Sequence, residues 1–161
     1  MSSGNLKKFT IIVTTDQNKG ISKGGKCPWS SNEDAETFRK LTMGRGKNAV
    51  IFGRVTFEKM LSEKPLSKRD TVVISKTWKQ ENHPGVLVCR TMKDALHLCF
   101  NNRYEEIFVG GGDSIFREVT TRWMHLCDHI YWTQFKMDFK CNNFFPEDIL
   151  EKMPRAQEPS K

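Results

Sequence analysis

Four stretches of the chain bring together residues that could act on a small molecule. In the first, Asp34 stands four residues before Phe38, with Trp29 just upstream. In a helix that spacing puts the carboxyl and the ring on one face. A carboxyl in an apolar pocket beside a large ring has its pKa raised and can hold or pass a proton. The plainer reading is equally open, because Ser31 and Asp34 form an S-x-x-D pair that starts a helix without doing chemistry. The second stretch, Val50-Ile51-Phe52-Gly53-Arg54-Val55-Thr56-Phe57, is an apolar run closing on Gly, Arg and a helix-starting Thr. Backbone N–H groups at a helix N-terminus beside an Arg suit a phosphate. The third runs from Thr71 to Ile74 and ends in Ser75-Lys76, again a hydroxyl and a cation. Two such endings point to a ligand with more than one phosphate, against the simpler reading of solvated loop cations. In the fourth, Glu106-Ile107-Phe108-Val109 leads through Gly110-Gly111-Gly112 into Asp113-Ser114-Ile115-Phe116. Three consecutive glycines let the backbone approach a pyrophosphate, although the G-x-G-x-x-G pattern is absent.

Other motifs carry less. Gly20-Ile21-Ser22-Lys23-Gly24-Gly25-Lys26 satisfies G-x-x-x-x-G-K, yet Cys27 stands where Ser or Thr would hold Mg²⁺ and Pro28-Trp29 follows where a helix should begin. The segment reads as a Gly/Lys loop over a pocket, or as a plain turn. The five cysteines, Cys27, Cys89, Cys99, Cys127 and Cys141, form no C-x-x-C pair and read as reduced thiols of an intracellular protein. His125 and His129 lie at i,i+4 without the Glu of an H-E-x-x-H frame, so no metal site is expected.

Strands and helices have to position these residues. Apolar, β-rich runs fall at 9–15, 49–53, 71–75, 86–89, 106–110 and 129–135, and helix-like spacing falls at 34–42, 56–61, 92–100 and 113–122. Several strand runs are almost continuous Ile, Val and Phe, as in strands buried on both faces. The alternation predicts an α/β fold with a mainly parallel central sheet, whose ligands collect at the strands' carboxyl ends. With 161 residues and no repeat or linker, one domain is expected over 1–161, with 148–161 a polar tail. Lys and Arg number 26 against 19 Asp and Glu, a net charge of +7, but the cations are scattered and no nucleic-acid motif frames them. No apolar run approaches the ~20 residues that cross a bilayer. Residues Met1 to Lys8 lead straight into a short apolar run, so secretion is not expected and the cytoplasm is.

Taken in order, the chain resembles the dihydrofolate reductase family. The residues that carry the resemblance are Asn18-Lys19-Gly20-Ile21, Pro28-Trp29, Asp34 with Phe38 and Thr42, Val50 to Phe57, Pro65-Leu66 with Arg69, Val73-Ile74-Ser75-Lys76, Gly111 to Phe116, Thr133, and Phe144-Phe145-Pro146-Glu147. The resemblance implies a three-layer fold and reduction of dihydrofolate by NADPH. Asp34 would bind the pterin's 2-amino group and N3 and promote protonation at N5, with Thr133 supporting it and Trp29 holding a water. Phe38 would pack on the pterin, Met60 and Leu66 on the benzoyl group, with Ile12 and Val13 also lining the substrate site. Arg69 would pair with the glutamate α-carboxylate. Val13, Thr14 and Ile21 would border the nicotinamide. Arg54, Ser75 and Lys76 would select the 2′-phosphate, and Thr56, Gly111, Gly112 and Ser114 would hold the pyrophosphate. Gly53, Val55, Asp113, Ile115 and Phe116 complete the implied cofactor site. The Gly111-Gly112 peptide would be cis.

The chain also departs from the family. Ser22 replaces a customary Gly and would stiffen the loop over the nicotinamide; Cys27 stands for an apolar residue, and Ala35 is small where Leu or Phe is common. Gly110 falls where a β-branched residue offers its carbonyl to the pterin, so the backbone contact would survive and the side-chain packing would not. After Glu147 no β pattern supplies the family's final antiparallel strand pair, which would leave a sheet edge for a partner to cover. Three rivals stand beside the reductase: an inactive NADPH-binding paralogue serving as an interaction module, a related pyrimidine or pterin reductase, and a basic nucleic-acid-binding protein. Trp29, Asp34 and Arg69 together favour folate over the second.

Overall fold

The computed structural model describes residues 8–24, 32–44, 46–60 and 67–152 and, of residues 32–35, 37, 60 and 152, the backbone alone. Six strands form the central sheet: β1 (Phe9–Thr15), β3 (Asn48–Gly53), β4 (Arg69–Ile74), β5 (Leu87–Cys89), β6 (Ile107–Val109) and β7 (Cys127–Gln134). The order is β5-β4-β3-β6-β1-β7, and every pairing is parallel. Two short strands, β2 (Gly20–Ser22) and β8 (Asn143–Phe144), pair antiparallel in a separate ribbon. The helices are α1 (Asn32–Leu41), α2 (Arg54–Met60), α3 (Met92–Phe100), α4 (Asp113–Glu118) and α5 (Glu147–Lys152).

Period-two alternation sorts the strand side chains onto two buried faces. Phe9, Ile11, Val13, Ala49, Ile51, Val72, Ile107 and Val109 face α3 and α4. Ile12, Val50, Phe52, Val73 and Phe108 face the other way, toward Phe38 of α1 and Phe57 of α2. This is the expected three-layer arrangement. From β3 the chain passes to β4 on one side, and from the neighbouring β6 it passes beyond β1 to β7 on the other. Their outgoing connections diverge, which leaves a crevice at the carboxyl ends of β3 and β6.

The structure differs from the sequence reading at several ends. The helix expected over 113–122 is α-helical only to Glu118 and continues as a wider π turn over Val119–Trp123. His125 lies in a 3-10 turn and His129 in β7, so their spacing is not that of one helix. β2 and β8 were not legible, being too short to show alternation. Among the described residues β7 is a sheet edge and no antiparallel strand joins the central sheet.

The largest correction concerns the polar tail expected from residue 148. α5 covers its first residues and carries Leu150, which is 2% exposed and joins the same core as Phe145 and Phe116. The ring centroids of Phe116 and Phe145 lie 5.5 Å apart, edge to face. Two adjacent apolar side chains, Ile149 and Leu150, in an otherwise charged hexapeptide are a weak helix signal, and the docking partner is distant in sequence. Leu150→Ala is expected to cost about 2–5 kcal/mol, read as a lower denaturation midpoint. An unchanged midpoint would show that α5 does not contribute to the core.

Candidate active site

The crevice is lined by backbone. β3 ends at Gly53, whose N–H donates to the Gly111 carbonyl across the gap (2.8 Å), and the Gly110 N–H donates to Ile51 (2.9 Å). A Cβ at Gly112 would lie 2.6 Å from Thr56 Oγ1, and one at Gly53 would lie 3.1 Å from Ile115 Cγ1. Gly111 has φ +103, in the region only glycine occupies easily, and the Gly111-Gly112 peptide is cis. α2 and α4 both begin here, directly after Gly53 and Gly112. The result is a narrow cradle of main-chain groups with the Thr56 hydroxyl at its side, into which an extended, charged group could come close.

The cations near this cradle are partly engaged. Arg54 pairs with Glu58 one turn later in α2 (2.8 Å), and Val55 beside it is exposed. Ser75 is buried, and its oxygen accepts the N–H groups of Thr77 (3.2 Å) and Trp78 (3.0 Å). Its hydroxyl also lies 3.4 Å from Thr77 Oγ1, and either oxygen can be the donor of that pair. Lys76 and Ser114 are exposed.

On the other side of the sheet, α1 carries Asp34 and, one turn later, Phe38. The Phe38 ring is 4% exposed and stands 5.3 Å from the Phe52 ring. Ile12 belongs to the same cluster. Thr14, two residues further along β1, pairs in register with Thr133 of β7, and both are half-buried. The end of α1 is tied to β4 by Arg69, whose Nη1 donates to the Arg39 carbonyl (2.7 Å) and to Thr42 Oγ1 (2.8 Å) while Nε donates to the Ser67 carbonyl (2.9 Å). All three acceptors are neutral, and no carboxylate pairs with Arg69 among the described residues. Burial and the nearby Arg39 charge push its pKa down. A buried cation without a counter-charge favours an incoming anion. Beside it opens a groove of about 540 Å³ whose lining includes Lys47, Lys68 and Met43.

The comparisons decide what this geometry belongs to. The family model described as dihydrofolate reductase matches residues 8–158. The chain belongs to the dihydrofolate reductase family. It is 32% identical to the dihydrofolate reductase of Aedes albopictus, over 88% of this chain and 81% of that one. It is 33% identical to the bifunctional dihydrofolate reductase-thymidylate synthase of Glycine max, over 88% of this chain but only 29% of that longer protein. Among solved structures, Enterococcus faecalis dihydrofolate reductase complexed with NADP(H) and RAB-propyl matches with a TM-score of 0.65 and 31% identity, over 87% of this chain and 77% of that chain.

Within the family frame, the expected residues divide. Ile12, Phe38, Thr14, Thr133 and Arg69 lie on or beside the α1 face, while Gly53, Thr56, Gly111 and Gly112 gather at the crevice. The Val13 side chain is buried on the opposite face, which leaves its backbone for the site. Ile115 and Phe116 likewise have their side chains in the core beneath α4. Ile21 is half-buried and packs on that core. Trp29 and Leu66 lie outside the described residues, as do Cys27 and the side chains of Asp34, Ala35 and Met60.

Two groups of functional interest escaped the sequence reading. Ser22, expected only to stiffen its loop, donates to Asp113 Oδ2 (2.5 Å), and the Asn143 amide donates to both Ser22 Oγ (2.9 Å) and Asp113 Oδ2 (3.3 Å). Asp113, expected to hold cofactor, is thus a latch between β2, β8 and α4. No short-range signal links three residues so far apart in the chain.

The second group centres on Asp16, which is fully buried at the end of β1. Its Oδ1 accepts the N–H groups of Asn18 (2.9 Å) and Gly20 (2.8 Å), and its Oδ2 accepts that of Phe139 (3.1 Å). The local part was legible, since Asp followed by Asn and Gly is a turn pattern. Burial raises the Asp16 pKa, but the N–H donors of Gly20, Asn18 and Phe139 and the Cys141 thiol together hold it below the ordinary carboxylate value. The thiol is pushed in turn to about 11 by its burial and by the Asp16 charge. A carboxylate whose folded pKa is depressed stabilises the fold above its unfolded pKa of ~3.9, and that contribution is lost as the pH falls through the folded value. Asp16→Asn is expected to cost about 1–3 kcal/mol at neutral pH, because an amide cannot accept on both sides. The gap from the parent should narrow in urea melts below about pH 4. A gap independent of pH would reject the charged anchor.

Proposed function

We propose that the chain is a dihydrofolate reductase that reduces 7,8-dihydrofolate to 5,6,7,8-tetrahydrofolate with NADPH, as a single domain in the cytoplasm. The observation that carries this reading is the layout of α1. Asp34 lies near one end of it, Phe38 in the middle, and Thr42, still bonded in helical fashion to the Phe38 carbonyl (3.1 Å), holds Arg69 at the other. Eight residues, 42 minus 34, span about 12 Å at the helical rise of ~1.5 Å per residue. A ligand with a proton-accepting ring at one end, a flat linker and a carboxylate at the other fits that order. Family membership supports the same substrate.

In this reading Asp34 binds the amino group and N3 of the ring and promotes protonation at N5, with Thr133 beside Thr14 supporting the carboxyl and Trp29 holding a water. Phe38 gives the ring a face to stack on, while Met60 and Leu66 flank the benzoyl group. Arg69 takes the α-carboxylate, and binding there offsets a charge that no carboxylate among the described residues balances. NADPH supplies the hydride when bound. The cradle suits its pyrophosphate because Gly53, Gly111 and Gly112 allow close approach and Thr56 adds a hydroxyl. Arg54 and Lys76 bring positive charge for the 2′-phosphate, to which Ser75 can donate its proton. Thr14 and Ile21 would border the nicotinamide, and orientation of the two ligands is the protein's main contribution.

The test is loss of NADPH absorbance on adding dihydrofolate, beside thermal melts with and without NADPH. Turnover is expected, and Asp34→Asn should reduce it by about 10²–10⁴-fold while NADPH still raises the melting temperature. Unchanged turnover in that variant would reject the proton-handling role. A melting shift with no turnover in the parent would favour the inactive binding paralogue. Arg69→Ala is expected to raise KM for dihydrofolate by about tenfold or more, and far less for a dihydropterin lacking the glutamate. Equal losses for both would mean that Arg69 acts only by holding α1.

A further inference from the structure

Gly110 follows β6 directly and does not need to be glycine for its backbone. Among the described residues the positive-φ glycines are Gly24 and Gly111, and Gly110 is not among them. What forbids a side chain is space: a Cβ there would lie 2.7 Å from Phe52 Cε1, 2.9 Å from Phe38 Cζ and 3.0 Å from Phe38 Cε2. Both rings are buried, Phe52 completely, and they pack against each other at 5.3 Å with a tilt of 36°. The volume that the expected β-branched side chain would fill is therefore not empty. Phe52, near the end of strand β3, and Phe38, descending from α1, close it with ring edges.

We infer that Gly110 is a specificity-determining residue for the substrate's ring. By presenting no side chain, it lets Phe38 settle against Phe52, and so sets how close the α1 ring stands to the sheet in the slot where the substrate's flat bicycle lies. The inference rests on the dihydrofolate reading above. Interiors packed at this density do not absorb an added methyl without moving a neighbour. The ring that can yield is Phe38, because Phe52 is fully buried on the sheet itself whereas Phe38 is carried by α1 and keeps 4% exposure. Displaced from β6, Phe38 moves toward the bound ring. Gly110 and Phe52 thus form a matched pair: a side chain at position 110 leaves the slot open only if the Phe52 ring is reduced with it.

The experiment is a double-mutant cycle of Gly110→Ala and Phe52→Leu, read in steady-state kinetics and in the ring-proton shifts of Phe38 in the ligand-free protein. Gly110→Ala is expected to raise KM for dihydrofolate about tenfold with a smaller change in kcat, to leave NADPH affinity unaltered, and to shift the Phe38 signals. Adding Phe52→Leu removes the ring edge that the new methyl meets and should recover most of that KM, a strongly non-additive result. Should Gly110→Ala fold poorly, the recovery of both folding and KM in the double variant carries the same information. Unmoved Phe38 signals, an unchanged KM, or purely additive effects would each overturn the inference. Absence of dihydrofolate turnover in the parent chain would instead overturn the functional reading, and the specificity role with it.

Discussion

A parallel sheet can be buried only if both of its faces are covered, and the rest of this structure follows from that requirement. Six strands running one way send alternate side chains to opposite faces, so α3 and α4 must cover one and α1 and α2 the other. The same direction puts all six carboxyl ends along one edge. Where the outgoing connections diverge, after β3 and β6, no side chain fills the gap, and Gly53 meets Gly111 main chain to main chain. The crevice is the place where the covering layers part.

Two polar anchors then position what lies around this edge. Thr42 receives Arg69 and gives its carbonyl to the Asn48 amide (2.9 Å), while the Asn48 oxygen accepts the Glu106 N–H (3.1 Å). The end of α1 is thereby joined to the starts of β3, β4 and β6 by buried groups that satisfy one another. At the opposite end of the sheet, Asp16 gathers the β1–β2 turn and residues 138–141 around one carboxylate, and the Ser22–Asp113–Asn143 latch ties β2 to α4. Buried networks of this kind specify one arrangement because a half-satisfied network costs more than none. α1 and β2 are held independently, by anchors at opposite ends of the sheet.

The departures from the family acquire physical meaning in this setting. Ser22 does more than stiffen a loop, since its hydroxyl exists alongside an acidic partner at Asp113 and an amide at Asn143. Gly110 does not leave a void, since Phe52 occupies the volume. In both cases a change at one position is matched by a residue that is distant in sequence and adjacent in space, which is how packed interiors tolerate substitution.

The sequence by itself determined the six strands of the central sheet, its two buried faces and the glycine turns, because alternation, apolar runs and turn chemistry are local and repeat along the chain. The ordered family residues fall on the α1 face and around the crevice. The tertiary structure alone decided which of those residues present side chains to the site. Val13, Ile115 and Phe116 sit in motifs that read as binding, but the pleat of β1 and the docking of α4 turn their side chains into the core. It also decided that residues 147–152, where the polar tail was expected to start, form a helix that packs into the core through Leu150 beside Phe145. Arg54, free in the sequence, is paired with Glu58, and Ser75 caps its own turn. These outcomes depend on contacts between segments far apart in the chain, and no local pattern encodes the partner.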